Sequence, residues 1–165
     1  MSKLFFVFAL LFLPFFVTAK DSGYGNTEWG MTPNQVISAQ KGKAHSITPQ
    51  KYKENWGKVS MENVNIASGM FTVTFIFDAS DKLVQTNVSS NEKKNEGIAQ
   101  NQFNALNNLL TQKYGAPQFS SDDKVTWKND GTTIELNKMI ISGVMAQTLV
   151  RYIPNTTVIS DTSNL

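Results

Sequence analysis

The chain of 165 residues carries 15 Lys and Arg against 13 Asp and Glu, a formal net charge of +2, with one His and no Cys. That inventory excludes cysteine nucleophiles, Cys-ligated zinc and structural disulfides. A near-neutral balance with no dense basic run also argues against nucleic acid as a partner, because phosphate binding needs clustered Lys and Arg.

Residues 1–19 have the pattern of a secretory signal: Lys3 makes a short basic start, residues 4–17 form an apolar run, and Val17-Thr18-Ala19 offers small residues for a cut after Ala19. The run is too short to span a bilayer, which takes roughly 20 apolar residues as helix. The expectation is a periplasmic or secreted protein with no membrane span in its mature chain of about 146 residues, enough for one domain with its own core. Without a cysteine there is no lipid attachment point of the bacterial lipoprotein kind.

Residues 20–28, with Gly23, Gly25 and Asn26, read as a flexible mature N-terminus. Thr32 then suits an N-cap, Pro33 the first helical position and Gln35 a capping box, and Gly42 is a stop, which predicts a short helix over residues 33–41. Residues 42–57 are polar, broken by Pro49, and read as loop, with Tyr52 and Trp56 as their large side chains. From Lys58 the period becomes two: VSMENVNIA is a weak strand and MFTVTFIFD a strong one, placing Phe71, Val73, Phe75 and Phe77 on one face. Ile76 breaks the otherwise polar opposite face. After a turn at residues 79–82, residues 83–89 make a third strand.

Residues 98–114 form the strongest helical pattern, with Ala99, Phe103, Leu106 and Leu110 on one stripe; Gly115 ends it and Pro117 blocks continuation. A second meander follows over residues 124–129, 132–140 and 144–153, turned at Asp130-Gly131 and near Gly143. The reading is a single α+β domain over residues 29–154, helix, three strands, helix, three strands, followed by a disordered tail over 155–165. Two architectures fit that order: a duplicated αβββ unit, or one domain with both helices packed on an antiparallel sheet.

No catalytic constellation accompanies these elements. His45 is the sole imidazole and lies in a polar segment, and Asp78, Asp81, Asp122 and Asp123 lack the spacing of a calcium loop. There is no G-x-S-x-G elbow, no phosphate-cradling glycine loop and no SxxK at a helix start. No catalytic residue, metal or cofactor is therefore assigned. Among the aromatics, Trp127 alternates with Val125 as a core residue would, and Trp29 precedes an N-cap where it can pack on the helix it introduces. Tyr52 and Trp56 are left without a core to join and are the candidate partner contacts.

The phrase Trp29-Gly30-Met31-Thr32-Pro33-Asn34-Gln35-Val36 resembles the WGMS-x-x-E-V opening of a group of uncharacterised bacterial exported proteins and lipoproteins. Their later L-x-x-K-Y-G-x-P phrase is matched by residues 110–117, including Tyr114, Gly115 and Pro117. Gln35 replaces the common Glu, and the lipobox cysteine is missing. More distantly, the helix-then-meander order is similar to the fold shared by a small outer-membrane assembly lipoprotein and the β-lactamase inhibitor protein. That likeness implies a protein that binds other proteins.

The expected function is that of a soluble exported module, not an enzyme, which contacts another envelope or secreted protein through its sheet face or aromatic loops. The alternative is a carrier holding a small apolar ligand in an enclosed cavity beside Phe75 and Phe103, with a hydrolase built on Asp122, Asp123, His45 or a Ser-Lys pair ranking third.

Overall fold

The computed structural model describes residues 22–67 and 69–157. The expected signal segment with its cleavage point at Ala19, and residues 158–165 of the expected tail, lie outside the described residues.

Helix α1 (Pro33–Ala39) is followed by strands β1 (His45–Tyr52), β2 (Asn55–Ile66), β3 (Gly69–Phe77) and β4 (Leu83–Ser90). Helix α2 (Glu96–Tyr114) is followed by β5 (Phe119–Ser120), β6 (Lys124–Asn129), β7 (Thr132–Ile141) and β8 (Met145–Pro154). All strands join one 8-stranded sheet in the order β1-β2-β3-β4-β8-β7-β6-β5, and every pairing is antiparallel. The two meanders meet where their last strands, β4 and β8, hydrogen-bond to each other.

This overturns the expected α+β arrangement of two helices with three-stranded meanders, and with it the αβββ repeat. The molecule is dominated by one continuous sheet, and four strands follow each helix. The two missed strands, β1 and β5, are the sheet edges, so neither must bury a face and neither shows an apolar alternation. In β1 no residue is buried. Its Pro49 lies where the register with β2 shifts, between Ser46 and Gln50, a place where a missing N–H costs no ladder bond.

The stronger patterns hold locally. Phe71, Val73, Phe75 and Phe77 are each 0% exposed. They share one core with Val36 of α1, with Phe103, Leu106 and Leu110 of α2, and with Val125, Trp127 and Val150. Both helices therefore cover the same face of the sheet. Gln35 Oε1 accepts the Thr32 N–H at 2.9 Å to open α1, and Asn95 Oδ1 accepts the Ile98 N–H at 2.9 Å to open α2.

The segment before α1, whose composition suggests flexibility, is folded against the core. Ser22 bridges Glu28, Thr27 is 1% exposed, and the Tyr24 ring meets those of Phe75 and Tyr152 edge-on at 6.2 and 5.3 Å. At the other end, residues 155–157 form a helical turn. Asn155 is held there, its N–H donating to the Gly131 carbonyl and its Oδ1 accepting from the Thr133 hydroxyl.

Candidate interaction surface

Strand alternation divides the sheet into two unlike faces. With Phe71, Val73, Phe75 and Phe77 directed at the helices, Thr72, Thr74 and Ile76 point the other way, and the register carries that assignment across the sheet. Thr74 pairs with Asn87, Asn87 with Arg151, Arg151 with Glu135, and Glu135 with Thr126. A row of polar and charged side chains thus crosses five strands on the face that, among the described residues, no helix covers.

This face is hollowed. Thr74 and Asn87 are each 7% exposed although no helix lies over them. A depression of about 440 Å³ is lined there by residues including Gln50, Tyr52, Thr72, Asn87, Ser89 and Leu149. Register shifts in β2, between Gly57 and Val59 and between Met61 and Val64, sharpen the local twist on one side, as bulges do. Its amides are partly organised: Gln85 Nε2 donates to Asn87 Oδ1 at 2.7 Å, and the Thr72 hydroxyl donates to Asn91 Oδ1 at 2.8 Å.

Charge concentrates at Glu135. Lys124 Nζ donates to its Oε1 at 3.1 Å, and Arg151 Nε lies 3.5 Å from Oε2 without making a hydrogen bond. The Glu135 side chain is 16% exposed, against 41% for Lys124 and 39% for Arg151. The anion is thus set down in the sheet while both cations reach toward solvent, where they can meet acceptors on another surface.

Tyr52 and Trp56 are not brought together as one patch. Tyr52 lies on the hollowed face with its ring across Gly57: a Cβ placed on that glycine would stand 2.9 Å from the ring. An aromatic covering a strand glycine in this way stabilises the hairpin. Trp56 pairs with Lys51 and so faces the opposite side of the β1–β2 hairpin, 36% exposed, with Lys51 Nζ 4.6 Å from its ring centroid.

Of the signature residues Trp29, Gly30, Met31, Thr32, Tyr114, Gly115 and Pro117, all but Pro117 make a contact or bond that builds the fold. Trp29, Met31 and Tyr114 pack against the core. The Gly30 N–H donates to the Leu83 carbonyl at 3.0 Å and the Leu83 N–H to the Met31 carbonyl at 2.9 Å, which pins the entry of α1 to the start of β4. Met31 also accepts the Glu28 N–H on its sulfur at 3.4 Å. Tyr114 stands beside Tyr152, and Gly115 ends α2 with its N–H donating to the Thr111 carbonyl at 2.9 Å.

The groups from which a hydrolytic site would be built are dispersed. His45 is on edge strand β1, its Nε2 3.9 Å from Glu62, whereas Asp122 and Asp123 occupy the turn between β5 and β6 at the far edge. Asp123 accepts the Ser121 hydroxyl at 2.8 Å. Among the described residues no three His, Asp or Glu side chains stand close enough to hold a metal ion, and no helix is long and apolar enough to cross a membrane.

Phe75 and Phe103 are packed in the core, at 0% and 4% exposure. A cleft of about 240 Å³ lies between the C-terminal half of α2 and the sheet, walled by Ile66, Val88, Leu106, Leu110, Val150 and Tyr152. The sequence pattern does not announce it, because each of these residues is an ordinary core residue and only their spacing in three dimensions leaves the gap. The Glu135–Arg151 pair did leave a signal: two opposite charges at face positions of period-two strands.

The sequence model described as the TP0088 domain matches residues 22–164, which takes in every described element. The chain belongs to the TP0088 domain family. No curated protein and no solved structure matches the chain. The description of the TP0088 domain names no reaction and no partner. Function must therefore be argued from the two faces of the sheet, and the finer likenesses drawn from the WGMT phrase and the helix-then-meander order gain no support from a matched structure.

Proposed function

We propose that this TP0088 domain is a non-catalytic protein-interaction module, exported to the periplasm or beyond, that docks another envelope or secreted protein on its hollowed sheet face. One observation carries the reading: a broad sheet face left free of helices among the described residues, with Arg151 and Lys124 reaching out around Glu135. Polar groups that are half organised and half open suit a surface completed by a partner's hydrogen bonds, since such interfaces use about one hydrogen bond per 100–200 Å². The arrangement of the outer-membrane assembly lipoprotein and β-lactamase inhibitor protein suggests the same kind of role by analogy of fold alone.

The test is crosslinking and affinity capture from the native envelope with wild type, Arg151→Glu and Trp56→Ala. A partner held by the hollowed face is lost with Arg151→Glu and kept with Trp56→Ala, which lies on the other side of the β1–β2 hairpin. Absence of a specific partner, or a partner indifferent to Arg151→Glu, would defeat the reading.

A second reading, a carrier of a small apolar ligand, is favoured by the cleft beside α2. Its apolar walls and contained volume suit a ligand smaller than the drug-sized molecules that fill pockets of about 300–1,000 Å³.

A further inference from the structure

We infer that the cleft beside α2 binds a single-chain amphiphile with an anionic headgroup, the alkyl chain lying between α2 and strands β4 and β8 and the headgroup at Lys113 and Lys43. The inference rests on the carrier reading and names its ligand. Three features of the cleft point to this class.

The cleft is apolar within and changes character at its mouth. Val88, Val150, Leu106 and Leu110, each 6% exposed or less, form the inner walls, and Tyr24 and Tyr152, whose rings meet edge-on, line it as well. Tyr24 and Lys113 also line a wider chamber of about 630 Å³ whose other residues include Gln40, Lys43, Glu62 and Asn63. An apolar slot that shares two lining residues with an adjoining polar chamber has the two-part layout of a chain and its headgroup.

The charge at the junction favours an anion. Lys113 borders both compartments, with its ammonium 5.0 Å from the Tyr114 ring centroid, and Lys43 borders the outer one. The one carboxylate lining the chamber, Glu62, lies 3.9 Å from the His45 imidazole. Two ammonium groups against one carboxylate that already has a neighbour leave positive potential where a headgroup would sit.

Size selects a single chain. At about 240 Å³ the slot cannot admit a helix, whose diameter with side chains is about 10–12 Å. A two-chain lipid is excluded on the same ground. Leu109 stands at the rim, 43% exposed, and extends the apolar wall outward. Its exposure is unexplained by packing within the chain and is accounted for if an alkyl chain passes beneath it.

Calorimetric titration of the purified chain with octanoate, decanoate and dodecanoate, below their micelle concentrations, tests the proposal. Each added methylene should tighten binding about threefold to fourfold until the slot is full. Decanoate should bind about tenfold more tightly than decanol, and decyltrimethylammonium more weakly than either. The exposed pair of changes Lys43→Glu and Lys113→Glu should abolish the preference for carboxylate while leaving the melting temperature near that of wild type, and methyl shifts on binding should centre on Val88 and Leu110.

Comparison with a lysophosphatidylglycerol of the same chain length separates the two sources of anionic headgroup: tighter binding assigns a lipid headgroup, weaker binding a free fatty acid. Decanol binding as well as decanoate, with no effect of the lysine changes, overturns the inference but leaves the carrier reading standing. No saturable binding of any chain, or shifts centred away from Val88 and Leu110, overturns both.

Discussion

The Trp29 indole Nε1–H donates to the Thr132 hydroxyl at 2.8 Å across 103 positions of sequence, and that hydroxyl in turn donates to the Ser22 carbonyl at 2.6 Å. One oxygen on β7 thereby fastens both ends of the segment that precedes α1. Thr132 is 3% exposed, while Trp29 is half-buried and Ser22 exposed. Thr132→Val keeps the shape and removes both hydrogen bonds, which should cost about 1–2 kcal/mol. Thr132→Ser, which keeps the hydroxyl, should cost less than about 1 kcal/mol. Urea unfolding of the two variants measures the difference, and equal midpoints would show that the hydroxyl is not what holds the segment.

Gly115 closes α2 at φ 81 and ψ −161, a region in which a Cβ is strongly disfavoured. Nothing lies within 4 Å of the position a Cβ would take, so any cost is conformational rather than steric crowding by neighbours. Gly115→Ala should destabilise the fold by about 1–3 kcal/mol. Gly97→Ala, in the first turn of the same helix, should instead be neutral or stabilise by up to about 1 kcal/mol, because the unfolded chain loses freedom and the helix tolerates the methyl. Thermal melts of the pair should therefore move in opposite directions, and a parallel loss would argue against the conformational account.

What the sequence disclosed follows from which physical signal each element carries. Phe71, Val73, Phe75 and Phe77 must fill one face of a central strand, and Ala99, Phe103, Leu106 and Leu110 one stripe of a helix, so burial wrote its period into the chain. Residues 45–52 carry no such period because an edge strand with both sides wet has nothing to bury, and Pro49 further disguised it. Tyr24 has no local apolar partner in its glycine-rich segment, since Phe75 and Tyr152, which it meets, come from distant strands. The candidate surface was half visible for the same reason: Tyr52 and Trp56 stood out by composition, yet alternation places them on opposite sides of one hairpin.

Glu92 organises the turn into α2. Its Oε1 accepts the backbone N–H groups of Lys94 at 2.8 Å, Asn95 at 3.1 Å and Lys93 at 3.0 Å. These bonds, led by that from Lys94, hold the carboxyl below its ordinary value of 4.5. A depressed folded-state pKa means that the contribution to stability is complete above 4.5 and is lost as pH falls through the lowered folded value. Glu92→Gln should flatten the acid limb of the stability curve by lowering stability in the neutral region, the variant and wild type converging as pH falls through the lowered folded value. Carboxyl resonances followed by NMR check the premise directly: a Glu92 titration at or above the ordinary value would remove the basis for this expectation.

The Tyr152 phenol responds at the opposite end of the pH scale. Burial pushes its pKa well above the ordinary 10.0, and the neighbouring Tyr114 and Tyr24 phenols push it further. A buried phenolate is disfavoured by desolvation and by neighbouring phenols that would share the charge. Because the folded-state pKa is raised, the associated stability is fully present below pH 10.0 and is lost as pH rises through the folded value. Tyr152→Phe removes that group from the alkaline titration, so stability should fall less steeply above pH 10.0 than in wild type. Below that pH the variant should lie within about 1 kcal/mol of wild type, since only a hydroxyl is removed from an otherwise unchanged ring. Spectrophotometric titration at 295 nm alongside urea midpoints would measure both halves of the expectation, and an unchanged alkaline slope would mean that Tyr152 ionises no less readily in the fold than in the unfolded chain.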